Sequence, residues 1–324
     1  MDVLIVEPIE PELLQWLESR HATRYAPQLE GDVPALRQAL FNARALLVPP
    51  SVAIDAQTLQ AAPLLRVVGS LGLGIEHIDA EACARHGVEL IRPGSASAAA
   101  EAEFAIGAML QLLRRVPVRA NDGRLVGREL GGTSVGLLGM SSAARPLAGL
   151  LEAFGAHVLG YDPALHRSDG LWARWKIEPI GLRELFEKSD VVCVLLSYFT
   201  RYKGLLGERH LAACKPGQVL VNLARSSLFD EHALAEVLNS GRMAAAWFDS
   251  VEPGLLEPGR PLFTVANFQG TPRVAGVTRE ARVRGAWAVA RRIDEILSVA
   301  PPRADFSSTS PDDLPDPEVG PASA

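Results

Sequence analysis

Thr133-Ser134-Val135-Gly136-Leu137-Leu138-Gly139-Met140-Ser141-Ser142-Ala143-Ala144-Arg145, an apolar helical pattern, and then His157-Val158-Leu159-Gly160-Tyr161-Asp162-Pro163 form the stretch from which the fold is read. It predicts a short buried strand, a turn of small residues, a helix and a second strand ending on an acid. That is the layout of a dinucleotide-binding βαβ unit. In such a unit a diphosphate rests on the free N–H groups at the helix start, where the macrodipole is positive. Gly139, Met140, Ser141, Ser142 and Ala143 are the candidate cradle, and Asp162 is placed to accept hydrogen bonds from a ribose hydroxyl pair. An acid there favours NAD over NADP, because it repels a 2′-phosphate. The turn departs from G-x-G-x-x-G: Gly139 is followed by Ser141 and then Ala144. Alanine in third place still allows close helix–strand packing, whereas serine in second place adds a side chain where the backbone should approach the pyrophosphate. By itself such a turn is equally an ordinary tight turn of an α/β protein.

Around this unit the chain alternates strand and helix. Val3 to Val6, Ala45 to Val48, Leu65 to Ser70 and Val88 to Ile91 read as strands, with helical spacing in Glu12 to Arg20, Val33 to Phe41, Asp55 to Ala62 and Ala80 to His86. Strict alternation implies a parallel, doubly wound sheet. After the central unit come strands at Val191 to Leu196, Gln218 to Leu223 and Met243 to Phe248, with helices at Leu182 to Glu187, Glu208 to Ala213 and Glu231 to Asn239. They predict a second sheet of the same class, closed by Gly270-Thr271-Pro272. A helix from about Ala99 to Val116, apolar nearly all round, is expected between the two domains; Pro117 to Gly132 is expected as a loop. A last helix, about Thr278 to Ala300, returns to the first domain, and the Pro-, Ser- and Asp-rich residues from Pro301 onward read as a disordered tail.

Composition narrows the function. The 324 residues are 48% hydrophobic and 22% charged, with a net charge of −6, so two soluble domains are expected and no general basic surface for nucleic acid or acidic membranes. Cys83, Cys193 and Cys214 are scattered and lack metal-ligand spacing, which suggests a reducing cytoplasm and small core thiols; no metal is expected. The chain begins on a strand with no basic leader before it, and no apolar run reaches membrane-spanning length.

Several ordered motifs resemble the D-isomer-specific 2-hydroxyacid dehydrogenases. Leu71-Gly72-Leu73-Gly74-Ile75-Glu76-His77-Ile78-Asp79 is similar to the family's substrate loop, and Ala102-Glu103-Phe104 to the start of its interdomain helix. Lys215-Pro216-Gly217 with Val221-Asn222-Leu223-Ala224-Arg225 is similar to K-P-G…V-N-x-a-R, Asp249 with Glu252-Pro253 to D-V-F-x-x-E-P, and Thr271-Pro272-Arg273 to T-P-H. The resemblance covers about Val3 to Ala300. It implies a Rossmann nucleotide domain (98–282) inserted in a flavodoxin-like substrate domain (1–97 and 283–300), with a cleft between them and dimers formed through the nucleotide domain.

The same resemblance implies the chemistry. Arg225 grips a substrate carboxylate, for which a planar guanidinium is suited; the backbone amides of Leu73 and Gly74 bind the same group; Asp249 belongs with the cofactor residues; Glu252 supports the acid–base group. The segment from Asp249 to Glu252 is two residues shorter than the family pattern, and a loop acid is the other reading of Glu252. At the acid–base position stands Arg273 where the family has histidine, and a guanidinium does not release a proton at working pH. Hydride transfer between NAD and a 2-hydroxy or 2-oxo acid is therefore the leading expectation. A catalytically silent member binding a nucleotide or acidic metabolite, with Arg225 and Arg273 as a dicationic pocket, is the other; different chemistry in the same cleft is a third.

Overall fold

The computed structural model describes residues 1–299 apart from 73, 75, 76, 116, 117 and 120, with the backbone only for 118 and 119. The expected tail from Pro301 lies outside the described residues. In the first third, β1 (Val3–Ile5), α1 (Pro11–Glu18), β2 (Thr23–Tyr25), α2 (Val33–Leu40), β3 (Ala45–Val48), α3 (Ala56–Gln60), β4 (Val67–Ser70), α4 (Ala80–Arg85) and β5 (Glu89–Ile91) alternate. Their strands pair in parallel in the order β2-β1-β3-β4-β5, the flavodoxin-like order. Every residue of β1, β3 and β4 is buried, as expected of strands covered on both faces.

Next come α5 (Ala98–Arg115) and a small antiparallel hairpin, β6 (Val118–Arg119) with β7 (Leu125–Val126), where the sequence reads as a loop. The remaining elements are β8 (Ser134–Leu138), α6 (Ala144–Ala153), β9 (His157–Tyr161), α7 (Gly170–Arg174), β10 (Glu178–Pro179), α8 (Leu182–Lys188), β11 (Val191–Val194), α9 (Glu208–Leu211), β12 (Gln218–Asn222), α10 (Glu231–Asn239), β13 (Met243–Phe248), β14 (Phe268–Gly270) and α11 (Arg279–Ser298). The second sheet runs β10-β9-β8-β11-β12-β13-β14, parallel throughout. Strand order reverses between β8 and β11, and in open α/β sheets ligands bind at that switch point.

Two long helices tie the sheets together. Along α5, Ala102, Ala105, Met109, Leu112 and Leu113 face the second sheet in one core cluster, while Glu103, Gly107 and Gln111 stay exposed. The helix thus keeps a solvent face, unlike the all-round burial that its composition suggests; its many alanines are permissive, not apolar enough to require cover. α11 returns to the first sheet, where Ala286, Val289, Ala290, Ile293 and Leu297 share a cluster with Val3, Ile5, Leu47 and Val67. Gly69 makes that approach feasible: a Cβ there would stand 2.6 Å from Val289 Cγ1.

Candidate functional site: the gap between the two sheets

The turn after β8 is built by its neighbours. Gly139 has φ 96° and donates its N–H to the Tyr161 carbonyl at 2.8 Å. A Cβ on it would lie 2.5 Å from Leu196 Cα, so only glycine fits. Met140 N–H donates to Asp162 Oδ2 (2.7 Å) and Ala164 N–H to Oδ1 (2.8 Å). Asp162 therefore clamps the turn and still has lone pairs for a diol. Ala144 N–H donates to the Ser141 carbonyl at 3.0 Å, and α6 begins without a side-chain cap or an acid in its first turn. The helix start is left for an anion from outside. Ser141 does not take up left-handed backbone; among the described non-glycine residues, positive φ occurs at Lys176 and Arg273. The turn tolerates serine here because its conformation does not demand glycine. The glycine at 139, the uncapped helix start and the acid at 162 fit a dinucleotide.

Two adjoining chambers open beside this turn. One, of about 320 Å³, is bordered by Gly72, Arg92, Glu101, Ser142, Asp249 and Arg273 among others. The other, of about 440 Å³, is bordered by Gly74, Ser141, Tyr198 and Arg225. Arg92, Glu101, Leu223 and Arg273 border both and form their common wall. The strand-borne residues come from segments that follow the carboxyl ends of parallel strands, where doubly wound folds place ligands.

Arg225 is aimed by a buried asparagine. Asn222, at the end of β12, donates from Nδ2 to the Ala224 carbonyl (2.9 Å) and accepts from Ala224 N–H at Oδ1 (3.1 Å), which fixes the bend that brings Arg225 over the chamber. The Arg225 guanidinium carbon lies 5.5 Å from the Tyr198 ring centre. Arg273 is held by another buried side chain. Asp249, 2% exposed, accepts from Thr271 Oγ1 (2.7 Å) and Val274 N–H (2.9 Å) on Oδ1 and from Ala275 N–H (2.8 Å) on Oδ2. Arg273 N–H donates to the Asp249 carbonyl. Asp249, expected among the cofactor residues, borders the first chamber while its carboxylate shapes the loop that presents Arg273.

The remaining expected residues are distributed unevenly. Gly139, Met140, Ser141, Ser142, Ala143 and Asp162 all sit in or against one turn, and Gly74, Arg225 and Arg273 meet at the second chamber. Leu73 lies outside the described residues. Glu252 accepts from Ser226 Oγ at 3.1 Å and borders a separate hollow with Val251, Pro253, Thr271 and Pro272, not either chamber. His77 Nε2 lies 3.4 Å from Ser70 Oγ, and no histidine borders either chamber among the described residues. Arg92 and Glu101 were not anticipated. The available signal was one of place: an arginine immediately after β5, and an acid in an otherwise alanine-rich first helical turn. Among the described residues no group of His, Cys, Asp or Glu is arranged to hold a metal, and no helix is long and apolar enough to cross a membrane.

Comparison with known proteins gives consistent results. Residues 106–275 match the family model described as D-isomer specific 2-hydroxyacid dehydrogenase, NAD binding domain. The chain is 32% identical over 303 residues to a D-3-phosphoglycerate dehydrogenase of Mycobacterium tuberculosis, covering 90% of this chain but only 56% of that longer protein. It is 31% identical to an (S)-sulfolactate dehydrogenase of Chromohalobacter salexigens, covering 92% and 99% of the two chains. Among solved structures, the TT0316 protein from Thermus thermophilus superposes with a TM-score of 0.71 at 26% identity, over 92% of this chain and 97% of that one.

Proposed function

The chain belongs to the D-isomer-specific 2-hydroxyacid dehydrogenase family, and from that premise we propose that it is an NAD-dependent oxidoreductase of a small 2-oxo or 2-hydroxy acid. The observation that carries this reading is the meeting of Arg225 and Arg273 at a chamber whose wall includes the turn residue Ser141. NAD, when bound, supplies or takes the hydride. The amides of Ser141 to Ala143 would hold its diphosphate and Asp162, already clamping the Met140 amide, its ribose. Arg225 grips the substrate carboxylate with its two-pronged guanidinium. Arg273 faces the reacting oxygen and stabilises negative charge there as the hydride arrives, acting through fixed charge rather than proton transfer. Arg92 adds a third arginine to the second chamber, beside Arg225 and Arg273, and suits an acid with a second anionic group.

Within the same reading, residues 1–97 and 283–300 form the substrate domain and 98–282 the nucleotide domain. The packing of α11 on the first sheet supports that division. A homodimer through the nucleotide domain is part of the proposal, supported by the exposed Leu125 and Val126 on the β6–β7 hairpin. So is a cytoplasmic location, supported by three buried free thiols, which suit a reducing compartment.

Fluorescence titration with NADH, followed by NADH oxidation assays over a panel of 2-oxo acids including phosphorylated and sulfonated ones, tests the reading. We expect saturable binding and turnover of at least one acid. Binding of NADH with no turnover across the panel would restore the silent-member reading.

A further inference from the structure

The reaction needs a proton that Arg273 does not release. Reduction of a 2-oxo acid delivers an electron pair to the carbonyl oxygen, and that oxygen must be protonated for the hydroxy acid to leave. Among the described residues bordering the two chambers, the side chains other than arginine that carry or take a proton on a charged or phenolic group are Glu101, Asp249 and Tyr198. Asp249 is buried with both carboxylate oxygens engaged by the 271–275 loop. Tyr198 borders only the second chamber, with its ring against the Arg225 guanidinium on the carboxylate side. Glu101 borders both chambers and shares their common wall with Arg273 and Arg92.

Glu101 is also held in place. It lies in the first turn of α5, and Ser97 Oγ donates to its Oε1 at 2.7 Å. That bond fixes the carboxyl group through one oxygen, at a residue that borders both chambers. We propose that Glu101 is the proton-transferring residue of this site, so that the two tasks of a single histidine are divided: Arg273 holds charge on the reacting oxygen and Glu101 supplies its proton. The proposal rests on the 2-oxo acid reading above. In the reducing direction the carbonyl carbon gains the hydride from reduced nicotinamide, which becomes NAD⁺. The C=O π pair moves to oxygen, the Glu101 O–H bond breaks, and its proton passes to that oxygen. The resulting carboxylate regains a proton from water through the open chamber. Oxidation runs the same steps backwards.

The groups facing Glu101 come from several elements: Arg92 after β5, Arg225 after β12, Asp249 at the end of β13 and Arg273 after β14, with Tyr198 beyond Arg225. The arginines keep their charge across the working range. The test compares the NADH-loaded wild type with Glu101→Gln, Glu101→Asp and Tyr198→Phe. NADH titration and unfolding midpoints establish that each variant is folded and binds cofactor. Glu101→Gln should lower kcat for reduction about 100-fold or more, and its kcat should depend less on pH than that of the wild type. Glu101→Asp should restore part of both, and Tyr198→Phe should keep the pH profile. A second readout does not depend on turnover: calorimetric binding of oxamate, an unreactive 2-oxo acid mimic, in buffers of different ionisation enthalpy. Wild type should show proton exchange on binding, and Glu101→Gln should show none. Wild-type turnover with an unchanged Glu101→Gln rate and profile overturns the assignment of Glu101 alone. Transfer of the phenotype to Tyr198→Phe overturns it likewise. NADH binding without wild-type turnover of any acid overturns the parent reading and this one together.

Discussion

At Arg273 the backbone sits at φ 57°, a region that costs a non-glycine residue about 1 kcal/mol or more. Three hydrogen bonds to the Asp249 side chain, from Thr271, Val274 and Ala275, hold the loop in that shape. Strain kept at a chamber wall suggests selection for the side chain it presents. Arg273→Gly should therefore raise stability by about 0.5–1 kcal/mol in urea unfolding while lowering turnover. Arg225 offers the complementary test. Arg225→Lys keeps the charge but loses the two-pronged grip, and kcat/KM should drop about 10- to 100-fold, the weight of one to two charge-assisted hydrogen bonds. Arg225 was singled out in the sequence through the motif Val221-Asn222-Leu223-Ala224-Arg225, and the structure adds the Asn222 bonds that fix the bend before it. Glu252 lies against Ser226 beside a separate hollow, a placement that its motif letters do not record.

At the scale of elements, the long apolar strands and helices agree with sequence periodicity, and the edge strands that the pattern missed have a common cause. β2, β10 and β14 have only two or three residues each and belong to the outer parts of their sheets, too short for a pattern to develop. They exist because a neighbouring strand offers its edge. The contact of α11 with β4 depends on Gly69. Gly69→Ala forces a Cβ against Val289 and should cost about 1–3 kcal/mol by denaturant unfolding, with little effect on NADH binding in the other sheet. At the start of α8, Glu184 accepts from Gly181 N–H at 3.0 Å and pairs with Lys188 and Arg167. The Gly181 bond and then Lys188 pull its carboxyl from an ordinary 4.5 down to about 2. A depressed carboxyl stabilises the folded state above its unfolded value and loses that contribution as pH falls towards its folded value. The stability difference between wild type and Glu184→Gln should thus be constant from neutral pH to about pH 4.5, then shrink at about pH 3.5, as urea midpoints at the two pH values will register.

For the molecule as a whole, charge is distributed against its average. The chain carries a net −6, yet Arg92, Arg225 and Arg273 converge on one gap. In the proposed function, an anionic substrate would be drawn to that gap by a local field that salt screens over about 8–10 Å. kcat/KM for an acid should fall several-fold between roughly 0.05 and 0.5 M salt, whereas kcat at saturation should change little. Equal sensitivity of both constants would assign the salt effect to something other than substrate capture.

The sequence alone determined what depends on near neighbours: alternation of strand and helix, the turn at Gly139 and the acid closing β9. Those features follow from steric and hydrogen-bonding rules acting over a few residues. The tertiary structure decided which side chains share a chamber. Arg92, Glu101, Arg225 and Arg273 are separated by as much as half the chain, and only the packing of two sheets through α5 and α11 brings their strand and helix ends together. Side-chain direction at such ends depends on loop length and on buried partners such as Asp249, and that information belongs to the fold rather than to any single stretch of it.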